Sequence, residues 1–175
     1  PVTDAALSLE LLSSLEDAGA KATFLFTEKQ LADSGDLVRR LRVGGSAAAL
    51  RIDASGGSGR TISAIERAND ALWTACNRKT RLVVLEDAAE ATVRAVQSAG
   101  YCPIVFDLDY SAGLPASVTR TGNAVLRAAR SGGCTVLLGS DAAMQADWSA
   151  LLARAQALSL PVAALNELSA RRSGA

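Results

Sequence analysis

A chain of 175 residues, 49% of them hydrophobic, suffices for one domain that buries about two thirds of its unfolded surface. Its 18 basic and 18 acidic side chains balance without a run of either sign, which argues against nucleic acid or an anionic membrane as partner. No apolar run approaches the roughly 20 residues of a membrane span, the first residues hold no basic stretch followed by an apolar core, and the abrupt start at Pro1 reads as an excised domain with room for targeting signals upstream. Histidine is absent, which removes the commonest metal ligand and the commonest near-neutral acid–base group together. Cys76, Cys102 and Cys134 are odd in number and lack C-x-x-C spacing, so they read as buried free thiols.

Thr3 is placed to cap a first helix from Asp4 to Ala18, with Leu7, Leu11 and Leu15 on one face and Gly19 as its stop. The apolar run Ala22 to Thr27 predicts a strand. Leu31, Leu37, Val38 and Leu41 then predict one helix ending at Gly44 and Gly45. Ser46 to Ile52 is read as a strand despite its alanines, which are poor strand formers. After the flexible loop Asp53 to Gly59, the pattern Ile62, Ile65, Ala68, Leu72 with Trp73 marks a helix to Cys76. Further strands are expected at Arg81 to Leu85, Cys102 to Leu108, Cys134 to Leu138 and Pro161 to Leu165. Helices are expected at Ala88 to Ala99, Ser117 to Arg130 and Ala142 to Leu158, and residues 171–175 form a loose tail. Trp73 and Trp148 are expected to pack against the sheet.

Strand and helix alternate about six times through short connections, the pattern of an α/β fold with a parallel sheet or barrel. Apolar runs such as Val136 to Leu138 agree, because parallel strands are covered on both faces. Chemistry in such folds gathers at the C-terminal ends of the strands.

Several stretches carry a family resemblance. Lys21-Ala22-Thr23-Phe24, followed by Thr27 and by Asp36-Leu37-Val38-Arg39-Arg40 and a glycine, resembles the K-A-T-F-F and E-L-V-R-R words of the polysaccharide deacetylase (NodB homology) family. Glu66 to Leu72 resembles E-R-A-N-x-A-L, Ala99-Gly100-Tyr101 the A-G-Y turn, Val105 to Asp109 the W-D-x-D strand, and Val162 to Leu168 the closing V-x-x-L-x-E-L. The resemblance implies a distorted parallel (βα) barrel of about six to seven units, forming one domain over residues 1–170. It also implies a divalent metal, held by one aspartate and two histidines, that removes acetyl groups from N-acetylated sugars.

Position by position, the family's catalytic words are missing. The first strand, with its paired aspartates, would precede Pro1. Counting from Gly45 puts Arg51 and Ser55 at the two histidines of H-x-x-x-H; a cation cannot ligate a metal and a serine hydroxyl ligates weakly. R-P-P-Y-G falls within one residue on Arg81 to Leu85, with Leu82 among the replacements. The aspartate-tryptophan pair falls near Ala112, and the late histidine falls on Gly139. The resemblance therefore implies a domain that kept the fold without the reaction, with no catalytic metal and no cofactor. Its remaining role would be to bind an N-acetylated glycan or another protein, or to act as scaffold beside other domains of a bacterial surface or secreted protein.

A residual groove would draw on Asp53, Asp107, Asp109, Tyr110 and Asp141, although Asp107 and Asp109 also read as solvated or capping residues and Asp141 as a helix cap. The competing reading is a divergent carbohydrate deacetylase whose metal is held by upstream aspartates with Asp53, Asp107 or Asp109. The loop Ala54 to Thr61 fails the phosphate-loop pattern at Ala54 and Arg60, which weighs against a nucleotide-binding protein. Without histidine or G-x-S-x-G, a serine triad is excluded.

Overall fold

The computed structural model describes residues 4–111, 118–129, 134–139 and 142–165. The chain forms two compact units, residues 1–21 with 105–163 and residues 22–104 with 164–175. The fold is α/β, and every pairing among the described strands is parallel.

In the first unit, helix α1 spans Asp4–Asp17. It buries Leu12 and Leu15 completely and Leu11 in part; Thr3 and the Leu7 side chain lie outside the described residues. Gly19 ends it as expected: its φ of 63° lets the amides of Gly19 and Ala20 turn back to the carbonyls of Glu16 and Leu15 at 3.0 and 2.9 Å.

The second unit follows the chain through β1 (Thr23–Phe26), α2 (Glu28–Asp33), α3 (Gly35–Gly44), β2 (Ala47–Asp53), α4 (Ser58–Cys76), β3 (Leu82–Glu86), α5 (Glu90–Ser98) and β4 (Cys102–Pro103). The four strands lie side by side in sequence order. Each strand is followed by helix and then by its own neighbour, so these strand ends point one way.

The expected single helix after β1 is two. Ser34 leaves the helical region (φ −119°, ψ 31°), and the Ser34-Gly35 pair has low helix propensity where the break falls. Leu31, Leu37, Val38 and Leu41 are nonetheless all buried, as their spacing required. Helix α2 starts on a capping box: the Gln30 amide donates to Thr27 Oγ1 at 3.3 Å, and the Thr27 amide donates to Gln30 Oε1 at 3.0 Å. Thr27→Ala is expected to cost about 1 kcal/mol, read as a shifted midpoint of denaturant unfolding.

The alanine-rich strand forms because of its partners. Ala47, Ala48 and Ala49 stand opposite Thr23, Phe24 and Leu25, so small side chains face large ones, and burial overrides weak strand propensity.

In the first unit, β5 (Leu108–Tyr110) pairs with β6 (Val136–Leu138), α6 spans Val118–Ala129 and α7 Ala142–Ala157. α7 packs against both α1 and α6. Buried Gly122 gives the Arg154 stem room, since a Cβ there would stand 3.3 Å from Arg154 Cγ.

Four expectations change. The single strand over Cys102 to Leu108 is two short strands in different sheets, with exposed Val105 between them. Pro103 supplies no amide, so its strand cannot continue as a two-sided ladder. Residues 161–164 form no strand: Pro161 lacks a donor, and the Val162 carbonyl accepts from the Lys21 amide at 3.1 Å outside any ladder. Trp73 is 50% exposed because it sits one residue beyond the buried stripe Thr61, Ile65, Ala68 and Leu72. The three cysteines are free, but Cys102 is exposed at the start of the edge strand β4, and Cys76 and Cys134 are half-buried.

Candidate functional site at the strand ends

Side chains alternate across a strand, so Arg51 and Asp53 leave β2 on one face while Leu50 and Ile52 are buried on the other. The parallel register sets Asp53 beside Glu86 and Arg51 beside Val84. Three charged side chains thus share one face at the C-terminal ends of two adjacent strands. Arg51 Nε donates to Glu86 Oε1 at 2.7 Å, and Arg51 Nη2 contacts the same oxygen. Both side chains are about half exposed, so the pair orients more than it stabilises. Arg51 has no other partner among the described residues.

Asp53 turns toward the following loop. Its Oδ1 accepts the Ser55 amide at 2.9 Å, and the Ser55 hydroxyl and amide together hold the Asp53 carboxyl below its ordinary value of 3.8. A carboxylate depressed in the folded chain stabilises it above the ordinary range and loses that contribution as pH falls through the lowered pKa. Ser55→Ala removes the larger cause and is expected to raise the Asp53 pKa toward 3.8 without reaching it, as read by carboxyl-carbon NMR titration.

The remaining positions have local surroundings of their own. Leu82 begins β3, four residues and roughly 13 Å before Glu86, at the opposite end of the strand. Asp107 precedes β5 and accepts the Thr135 amide at 2.7 Å, clamping the start of the strand pair. Asp109 accepts the Ser111 amide and hydroxyl at 2.9 and 2.7 Å, a local turn cap. Tyr110, 9% exposed, belongs to the core, and the Gly139 carbonyl accepts from Trp148 Nε1 at 3.3 Å. Ala112 and Asp141 lie outside the described residues. Burial and neighbouring Asp107 push the Cys134 thiol up, away from the nucleophilic thiolate.

Glu86 is the site residue that the sequence reading passed over. It closes an apolar run, and only pairing with β2 brings it to Arg51. At the loop after β2, Gly57 carries a φ of 83°, and the Thr61 hydroxyl donates to its carbonyl at 2.9 Å, so that hydroxyl is used within the turn. Among the described residues no three His, Cys, Asp or Glu side chains gather as a metal cluster, and no helix is long and apolar enough to cross a membrane.

No family model matches the sequence, and no curated protein matches it. Solved structures do match in three dimensions. The family 4 carbohydrate esterase (CE4) from Streptomyces lividans superposes with a TM-score of 0.74 at 19% identity, over 89% of this chain and 84% of that one. The fold is that of the family 4 carbohydrate esterases. A CE4 domain of a multidomain xylanase from the hindgut metagenome of Trinervitermes trinervoides gives 0.79 at 17% identity, over 96% and 85%. A CE4 family pseudoenzyme from Bacillus anthracis gives 0.76 at 14% identity; 96% of this chain spans 62% of that protein's length. Among these neighbours the CE4 fold thus occurs in a carbohydrate esterase, in a domain of a multidomain xylanase and in a pseudoenzyme.

Proposed function

We propose that this chain is a catalytically inactive CE4-fold domain, a single domain over residues 1–170, that binds a glycan or a protein partner within a larger bacterial surface or secreted protein. The observation that carries this reading is the Arg51–Glu86 pair. Where the resemblance puts the first histidine ligand, a guanidinium with no lone pair lies against a carboxylate, and Ser55 stands at the second. A divalent cation at Arg51 would meet a fixed positive charge and a weak hydroxyl ligand, so the residues present do not fit the metal. The pseudoenzyme neighbour supports the reading by analogy of fold. An N-acetylated glycan fits best as ligand, because the resemblance is to proteins that act on such sugars.

The experiment is a thermal melt with zinc, cobalt, manganese or magnesium added in turn. A metal present at 100 times its Kd would stabilise the native state by about 2.7 kcal/mol, a rise of roughly 5 to 10 °C for a chain of this size. No rise is expected with any of the four. A saturable rise abolished by Asp53→Asn would favour the divergent deacetylase with carboxylate ligands instead.

A further inference from the structure

Resting on that reading, we propose that Arg51, oriented by Glu86, is the group that receives the ligand, donating to an uncharged carbonyl or hydroxyl oxygen, and that Asp53 and Glu86 make the site select neutral over anionic sugars. A guanidinium carries five N–H donors. Two nitrogens of Arg51 are spent on Glu86 Oε1; the remaining N–H groups have no partner among the described residues, and the side chain is about half exposed at the strand ends.

The pairing decides the ligand's charge. An arginine without an acidic neighbour is best satisfied by a carboxylate in a two-pronged contact. Here Glu86 already provides the negative charge, and the register sets Asp53 beside Glu86 on the same face. An incoming carboxylate would meet two resident ones for a single cation, a repulsion that a neutral acceptor does not meet. An acetamido carbonyl has the required lone pairs and no charge. Arg51 then supplies, through fixed hydrogen bonds, the electropositive contact that a carbonyl oxygen seeks, with nothing to activate a water. Glu86 is a positioning residue: it holds the guanidinium and weakens its appeal to anions.

The test measures binding of the 175-residue chain by calorimetry to two probes of equal length, an N-acetylglucosamine tetrasaccharide and a galacturonate tetrasaccharide. The wild type is expected to bind the neutral probe more tightly. Arg51→Met should weaken that binding roughly tenfold or more, the scale of losing a charged hydrogen bond, with Arg51→Lys intermediate and the melting temperature of each variant near wild type. Glu86→Gln should narrow or reverse the preference by strengthening galacturonate binding, a change that mere structural damage would not give. Neutral-probe binding untouched by Arg51→Met, or a wild type that prefers galacturonate, overturns this inference and leaves glycan binding standing. Silence of the wild type toward both probes overturns the glycan-binding reading, and the inference with it.

Discussion

Leu50→Ala is expected to lower the unfolding free energy by about 3 kcal/mol, within the range for truncating a buried leucine in a packed core. Leu50 is fully buried, pairs with Phe26 on one side and Val83 on the other, and lies on the face of β2 opposite Arg51. In a chain of this length the loss corresponds to a fall of roughly 6 to 12 °C in melting temperature. Leu50→Met keeps most of the volume and should cost less than about 1.5 kcal/mol, so the contrast separates packing from strand propensity. Because Arg51 follows directly, the alanine variant should also loosen the site, read as a weaker protection of the Arg51 amide from exchange.

Asn69→Ala is expected to cost a similar amount for a different reason. Asn69 is 3% exposed and clamps the approach to β3: its Nδ2 donates to the Thr80 carbonyl at 3.1 Å, and its Oδ1 accepts the Thr80 amide at 2.8 Å. Removing the side chain leaves two backbone groups without partners, each worth about 1 to 3 kcal/mol when desolvated. A loss of about 3 kcal/mol in denaturant unfolding follows. Asn69→Asp gives the diagnostic. It keeps the acceptor for the Thr80 amide but sets an anion against the Thr80 carbonyl, so burial should raise the new carboxyl's pKa. The raised pKa makes the penalty large at neutral pH, and the penalty should shrink as acidification protonates the group and restores a donor. A pH-independent penalty would show that the clamp is not formed.

These two residues mark what the sequence could and could not reveal. Leu50 was readable as a strand residue in an apolar run, whereas Asn69 was only a letter in the resemblance to E-R-A-N-x-A-L, with no hint that it joins α4 to the lead-in of β3 eleven residues on. Order and type of most elements follow from periodicity and from stops such as Gly19, Gly45 and Gly100, whose positive φ angles end helices where the pattern stops. The misreadings fall where local signals conflict. Ser34 and Gly35 interrupt an otherwise helical stripe, and Cys102 to Leu108 is apolar enough for one strand but holds a proline that stops the ladder.

The site was half legible. Arg51 and Ser55 were reached by counting from Gly45, because local spacing survives in a strand and its loop, and Asp53 was reached as a carboxylate between them. Glu86 could not be reached that way, since its meeting with Arg51 depends on the register of two strands 35 residues apart. Trp73 was misplaced by a single helical position, enough to turn a side chain by about 100° from core to solvent.

The proposed role of this CE4-fold domain is binding without hydrolysis. The measurement that tests it most directly is mass spectrometry of an N-acetylglucosamine tetrasaccharide incubated with the chain and zinc or cobalt, alongside calorimetry of the same mixture. Saturable binding with every acetyl group retained is expected. Release of acetate above a protein-free control, abolished by Asp53→Asn, would contradict it.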